Sequence, residues 1–296
     1  MDHRILTIDV EDWFHILDTP LTPRIEEWPT LHSRLEPNLR FLLELLERYR
    51  IKATLFWLGW AAERYPRLVR ECAQAGHEIA SHGYAHVKAQ QVGPRGFASD
   101  TERAKKVLED TVGKPVAGYR APGFGITTQT PWAFDILAAL RHTFDSSVFP
   151  AKRGHGGLQR GPLGPCIIST PSGPLAEIGI SVVELAGLRV GLFGGGYLRL
   201  APLPFIRWGL RRIARQGLPA VIYVHPREVD PDHPRLPLPL RRRFQCYVNL
   251  RSTRRKLEAI CTQSGATFST MSDYLRHRRM LERPRDIEDT QTALPR

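Results

Sequence analysis

Short apolar runs alternate with amphipathic stretches along the first two-thirds of the chain, and most runs end in polar or glycine-rich sequence. Residues 5–8 read as a buried strand that ends in the acidic cluster Asp9-Val10-Glu11-Asp12. Over 37–50, leucines and Phe41 recur at helical spacing, with Pro37 near the start, where a missing N–H costs little. Residues 53–58 predict the next strand, followed by a helix over 61–75 that Gly76 can end. A short strand over 78–81 leads into His82. Ser99 or Asp100 can cap a charged helix that runs to about 112 and stops at Gly113. Residues 116–119 form a strand running into Arg120-Ala121-Pro122-Gly123, and a helix over 131–140 follows.

The second half is less regular. Residues 150–175 are rich in Gly and Pro and read as a long loop or insertion. Strands over 181–185 and 220–224 flank a helix at 203–216. Five prolines and many arginines over 226–243 predict an extended surface segment. A helix over 252–264 and a short strand at 267–269 complete the ordered part, and the tail beyond 282 reads as mobile. Repeated strand-then-helix order predicts an α/β fold, a parallel sheet or barrel with helices outside.

Composition narrows the class. With 296 residues and 42% hydrophobic content, the chain can bury a substantial core. No run of about 18 apolar residues suggests a spanning helix. The N-terminus enters a strand without the apolar region of a secretory signal, and Cys72, Cys166, Cys246 and Cys261 are widely spaced, which together predict a cytoplasmic location. The net charge of +12 is unevenly placed: residues 1–198 carry +1, residues 199–285 carry +13 and residues 286–296 carry −2. A basic third suggests nucleic acid, but no zinc finger, helix-turn-helix or aromatic RNA-binding pattern accompanies it. An anionic membrane leaflet is a second use. Arg207, Arg211, Arg212 and Arg215 share a predicted helix with Phe205, Trp208, Leu210 and Ile213, a spacing that fits a surface helix or a packed barrel helix.

Candidate chemistry gathers where predicted strands end, the edge at which parallel α/β folds assemble sites. His82 and His86 stand four residues apart, a spacing that can chelate one metal ion. Asp9, Glu11 and Asp12 repel one another at the end of an apolar strand, and a divalent cation with an arginine offsets that repulsion. Asp9 and Glu11 share a strand face, while Asp12 begins the turn. Arg120, at another strand end, is a natural partner for Asp9. His225, after an apolar strand, can titrate near neutrality as a general acid. Gly194-Gly195-Gly196 lacks the Lys of a phosphate-binding loop and suggests close backbone approach instead.

These segments fall in the order of known motifs. Thr7-Ile8-Asp9-Val10-Glu11-Asp12, Ser81-His82-Gly83-Tyr84-Ala85-His86, Arg120-Ala121-Pro122-Gly123 and Val224-His225-Pro226 resemble the polysaccharide deacetylase family, of the NodB-homology or carbohydrate esterase family 4 type. Asp9 through His15, Gly194 through Leu200 and His225-Pro226-Arg227-Glu228 look like the subgroup associated with exosortase and PEP-CTERM exopolysaccharide loci. The resemblance implies a distorted (β/α) barrel over residues 1–226, with an extension over 227–282 and a tail at 283–296. It further implies Asp9 as general base, His82 and His86 as metal ligands, Arg120 orienting Asp9, and His225 protonating the leaving amine. The third ligand falls to Glu11 or Asp12, because Val10 replaces the usual adjacent Asp, and strand alternation favours Glu11. Asp145-Ser146-Ser147 resembles the remnant of a motif that supports the catalytic histidine. Arg227 stands where relatives have an aromatic residue. Trp13, Tyr84, Pro122 and Gly123 are candidate substrate contacts, and Glu177 is a candidate for the site border.

The implied cofactor is a divalent metal, usually zinc. The implied activity is N-deacetylation of N-acetylhexosamine units in an exopolysaccharide or its lipid-linked precursor, with peripheral contact to the inner membrane face and no nucleic acid. Two alternatives are an allantoinase-like amidohydrolase acting on a small cyclic amide and a non-catalytic basic binding module.

Overall fold

The computed structural model describes residues 2–152 and 156–281, so the expected tail at 283–296 lies outside the described residues. Strand β1 (Asp2–Val10) is second from one end of the main sheet, inside β10 (Ala220–Val224). It pairs in parallel with β2 (Thr54–Trp57) on one side and with β10 on the other. Strands β3 (Glu78–Ser81), β4 (Gly118–Tyr119), β5 (Phe144–Asp145) and β7 (Gly173–Glu177) continue outward from β2 in parallel. The antiparallel strand β6 (Cys166–Thr170) ends the sheet, and β11 (Ala266–Phe268) pairs with the first residues of β1. A separate hairpin joins β8 (Val182–Leu185) to β9 (Leu188–Gly191).

The sheet curls until the chain after β7 comes back to β10. Ser181 N donates to Val221 O at 3.4 Å, and Tyr223 N donates to Phe193 O at 2.9 Å. Gly194 bridges Tyr223 so closely that an added Cβ would sit 2.1 Å from the tyrosine ring. The glycine run therefore serves backbone approach within the barrel wall. The result is a distorted (β/α) barrel, as the strand-helix order and the resemblance predict.

Alternation along the strands divides the core in two. Leu6, Ile8 and Val10 face outward with Leu55, Trp57, Ile222 and Val224, under helices α1 (Leu35–Arg48), α3 (Pro66–Gln74), α7 (Leu203–Arg215) and others. Ile5, Phe56, Ala80, Val221 and Tyr223 face the barrel interior. Met271, Tyr274 and Leu275 of α10 (Met271–His277) join them. The same alternation points Thr7 and Asp9 inward at the carboxyl end of β1.

Several elements differ from the sequence reading. The helix expected over 61–75 is two, α2 (Gly59–Arg64) and α3, because Pro66 removes a donor and pushes Tyr65 out of helical geometry (φ −125°, ψ 49°). Helix α4 (Ala89–Val112) is capped at Lys88, well before the predicted Ser99 or Asp100, and kinks at Gly93-Pro94. Trp132–Ala139 forms α5, as expected. The expected loop over 150–175 ends in the β6–β7 hairpin. Within the proline-rich segment, Pro226–Val229 forms a 3-10 turn and α8 (Leu240–Tyr247) is helical, with Asp230, His233 and Leu238 buried. Helix α6 (Gly195–Leu200) was not anticipated, and α9 (Thr253–Cys261) lies close to its expected place. No helix among the described residues is long and apolar enough to cross a membrane.

His142, in the turn before β5, is 3% exposed and neither ring nitrogen has a hydrogen bond among the described residues. Burial, with Lys105 nearby, pushes its pKa down to about 3. Its folded pKa lies below the unfolded value, so its contribution is complete above about pH 6.5 and is lost as pH falls toward 3. Each unit in that window costs roughly 1.4 kcal/mol from this group. His142→Leu is expected to flatten the fall in melting temperature between pH 7 and 4; an unchanged slope would rule the account out.

Candidate active site

Asp9 and Arg120 meet at the carboxyl ends of β1 and β4. Arg120 Nη1 donates to Asp9 Oδ1 at 2.6 Å and to Thr7 Oγ1 at 2.8 Å. Its Nε and Nη2 donate to Ser146 O and Oγ, at 3.2 and 2.9 Å, and its guanidinium lies 4.1 Å from the Phe56 ring centroid. Asp9 and Arg120 are both buried. Removing either would leave an uncompensated charge, at about 3–5 kcal/mol. The carbonyl of the same arginine accepts a hydrogen bond from His82 Nδ1 at 2.7 Å. A carbonyl only accepts, so His82 carries its proton on Nδ1 and leaves Nε2 as a lone-pair donor. Burial also keeps this ring below its ordinary pKa and therefore neutral.

His86 is placed by the turn after β3. Tyr84 N and Ala85 N donate to the two carboxylate oxygens of Asp100, at 2.8 and 2.9 Å. A Cβ on Gly83 (φ +74°) would stand 2.7 Å from Asp100 Oδ2, so the turn needs glycine there. Asp100 thus holds the histidine loop rather than capping a helix. His86 itself sits at φ +53°, a left-handed conformation that costs a β-carbon residue energy and that the surrounding contacts enforce.

Glu11 completes the group. Ligand atoms of Glu11, His82 and His86 all lie within 4.8 Å of one another, and all three residues are buried. Glu11 Oε2 is 2.7 Å from His86 Nε2 and is a buried carboxylate oxygen without a hydrogen bond among the described residues. Burial opposes its charge, yet His86, His225 and Arg227 together hold its pKa below the carboxylate range. A neutral imidazole, an ionised carboxylate and an orphaned oxygen suit a divalent ion. Asp12 turns the other way. Its oxygens accept from Trp13 N, Ser33 Oγ and Arg34 N, which ties the loop to the start of α1. Of the two carboxylates left open by the sequence, geometry brings Glu11 to the histidines.

His225 faces this group from β10. Its Nε2 lies 3.1 Å from Glu11 Oε1 and 3.8 Å from Asp9 Oδ2. Its Nδ1 is 3.0 Å from Glu228 Oε2, and its backbone N–H donates to the same oxygen at 3.0 Å. The other oxygen of Glu228 is paired with Arg199. Arg199, almost wholly buried, also donates to the carbonyls of Val248, Gln245 and Cys246. Burial, with Arg227 nearby, pushes the His225 pKa down to about 4 despite Glu11 and Asp9. The ring is therefore neutral at pH 7, with a carboxylate facing each nitrogen, Glu228 at Nδ1 and Glu11 at Nε2.

Three expectations change. Asp145 does not support His225: its carboxylate accepts from Ser147 Oγ and N, and Ser147 Oγ in turn accepts from Ala121 N. Glu228 takes that supporting place. The spacing of an N-cap residue and an acid three positions on, His225-x-x-Glu228, was the available signal. Trp13 and Tyr84 pack instead of presenting a sugar platform. The Trp13 indole donates to His32 O, and the Tyr84 hydroxyl donates to Glu63 beneath Arg103. Glu177 is fully buried beside Asp145, which together with burial raises its pKa well above the carboxylate range. Pro122 is buried and Gly123 half-buried in a 3-10 turn, where Gly123 adopts φ +63° close to Leu17. His15 is buried near His86, and its Nδ1 accepts from Asp12 N. Arg227, half-buried, has a buried Nη1 without a hydrogen bond among the described residues.

Glu11→Gln should weaken zinc binding by about 10-fold or more, whereas Asp12→Asn should retain affinity and lose thermal stability. Calorimetric zinc titration checks both, and the reverse pattern would assign the third ligand to Asp12.

Comparison with known proteins follows the same lines. The polysaccharide deacetylase family profile matches residues 32–139, and a domain of unknown function matches residues 146–276. A peptidoglycan-N-acetylglucosamine deacetylase of Bacillus cereus is 31% identical over 101 residues, 33% of this chain and 37% of the relative. A chitooligosaccharide deacetylase of a Bradyrhizobium strain is 25% identical over 99 residues, 33% of this chain and 45% of the relative. The chain thus spans less than half the length of these curated relatives. Among solved structures, a Mycobacterium smegmatis protein assigned as a polysaccharide deacetylase superposes with a TM-score of 0.64 at 20% identity, covering 98% of this chain and 94% of that one. The PuuE allantoinase superposes with a TM-score of 0.61 at 16% identity, covering 93% and 89%. These two likenesses show the fold. The deacetylase profile lies across α1 to α5 and the motif residues converge at the strand ends, so residues 32–139 carry a polysaccharide deacetylase domain.

Proposed function

We propose that the protein is a metal-dependent N-deacetylase that hydrolyses the acetamido group of N-acetylhexosamine units in an exopolysaccharide or its lipid-linked precursor. The observation that carries this reading is the opposition of two proton-handling groups. Asp9 Oδ2 and His225 Nε2 stand 3.8 Å apart, both beside the Glu11–His82–His86 group. The names of the curated relatives, deacetylases of peptidoglycan and chitooligosaccharides, support the sugar amide as substrate class.

Glu11, His82 and His86 would hold the ion, zinc by their donor types. When bound, it supplies Lewis acidity toward water and the acetamide oxygen. The remaining work falls to the chain. Asp9, aimed by Arg120, takes a proton from the attacking water. Hydroxide adds to the carbonyl carbon, the C–N bond breaks, and acetate and a free amine leave. The departing nitrogen needs a proton, which His225 Nε2 delivers after receiving it across the short gap from Asp9. Glu228 fixes the imidazole in the tautomer that this transfer requires, and Arg199 fixes Glu228.

Acetate release from N-acetylated oligosaccharides, with chelated and metal-restored protein side by side, tests the reading. Release that depends on restored metal is expected; release only from a small cyclic amide would point to an allantoinase-like activity. His225→Ala should retain metal and lose about two to four orders of magnitude in turnover. Glu228→Gln should lower kcat by about 10-fold or more with little change in KM, whereas unchanged kcat would remove Glu228 from the proton path.

A further inference from the structure

Helix α8 is pinned to the rim of the site on one face and bare on the other. Arg199 holds its last turn through Gln245 O and Cys246 O, and Cys246 and Tyr247 pack with Ile16, Leu238 and Leu250. Arg242 Nη2 donates to Leu17 O at 2.7 Å, in the loop that continues from Glu11 and Asp12. The opposite face carries Leu240, 83% exposed, and Phe244, 56% exposed, one helical turn apart. Arg241 and Arg243 flank them and are exposed. Residues 233–257 hold eight Lys and Arg and no Asp or Glu. No packing within the described chain uses Leu240 or Phe244 as core.

We propose that α8 docks the protein onto an anionic phospholipid bilayer, with Leu240 and Phe244 entering the headgroup–acyl boundary and Arg241 and Arg243 meeting lipid phosphates. An aliphatic and an aromatic side chain on one turn, between guanidinium groups, match the chemistry of that boundary. A glycan chain fits less well, because leucine offers neither a stacking ring nor a hydrogen bond. The placement also moves the membrane surface away from the arginines of α7. That helix buries Ile206, Gly209, Leu210 and Ile213 against the barrel, and its outer arginines stand beside Trp208, half-buried and stacked on Phe205. Docking through α8 would set the mouth of the site against the leaflet, where a lipid-linked glycan would be presented. The surface itself is independent of the reaction proposed above.

Co-sedimentation with phosphatidylcholine vesicles, with and without phosphatidylglycerol, tests the inference on the full chain. Binding to the anionic vesicles alone, weakening as salt rises, is expected. Leu240→Ser with Phe244→Ser should reduce it by about 10-fold or more, with the melting temperature unchanged because both side chains are exposed. Arg241→Gln with Arg243→Gln should reduce it severalfold, and Arg211→Gln with Arg212→Gln should not. Equal sedimentation with neutral vesicles, an equal loss from the α7 pair, or loss of a dimer instead of vesicle binding in the Leu240/Phe244 variant would each overturn it.

Discussion

The ion pair between Asp9 and Arg120 is the constraint on which the rest of the site depends. Two full charges at barrel depth are costly to desolvate, and the pair is tolerable because each guanidinium nitrogen of the arginine donates a hydrogen bond. Thr7, Asp9 and Ser146 accept from it, and Phe56 covers its face. The contact joins the ends of β1 and β4 and the residues just after β5. Through its carbonyl, Arg120 also sets the tautomer of His82. One buried residue therefore orients Asp9, the proposed base, and His82, a proposed ligand, which couples their positions to within a hydrogen-bond length.

The second support is built from the far end of the chain. His225 stands at the end of β10, and the Glu228–Arg199 pair behind it is locked onto the carbonyls at the end of α8. Part of the basic third is thereby used internally. Arg199, Lys256 and Arg254 donate to main-chain carbonyls of this region, Lys256 to Leu198 and Arg199 and Arg254 to Val229. Positive charge here closes irregular backbone that lacks sheet or helix partners. The exposed remainder, on α7, α8, α9 and α10, sets the surface potential.

Strand ends were legible in the sequence because period-two burial and terminal polar residues coincide. Asp9, Glu11, His82, Arg120 and His225 all lie where apolar runs stop, and the structure brings them together. The choice of Glu11 over Asp12 follows from alternation, since Asp9 and Glu11 share a face. Contacts set by tertiary geometry were not legible. Asp100 has the composition of a helix cap, but a kink at Gly93-Pro94 lets the helix start earlier and frees its carboxylate for the histidine loop. Trp13 and Tyr84 sit in motif positions, and only the fold shows that their polar atoms are engaged by His32 and Glu63. Arg199 and Glu228 are 29 residues apart, and no local pattern predicts that pairing. The amphipathic reading of α7 named a real pattern, which the barrel uses for packing.

A zinc-soaked crystal examined by anomalous scattering tests the central claim most directly. The account predicts one buried ion held by Glu11, His82 and His86, with Asp12 still on Ser33 and Arg34 and Asp9 still on Arg120. An ion bound elsewhere, or bound only after Asp9 leaves Arg120 to ligate it, would contradict the assignment of base and ligands on which the mechanism rests.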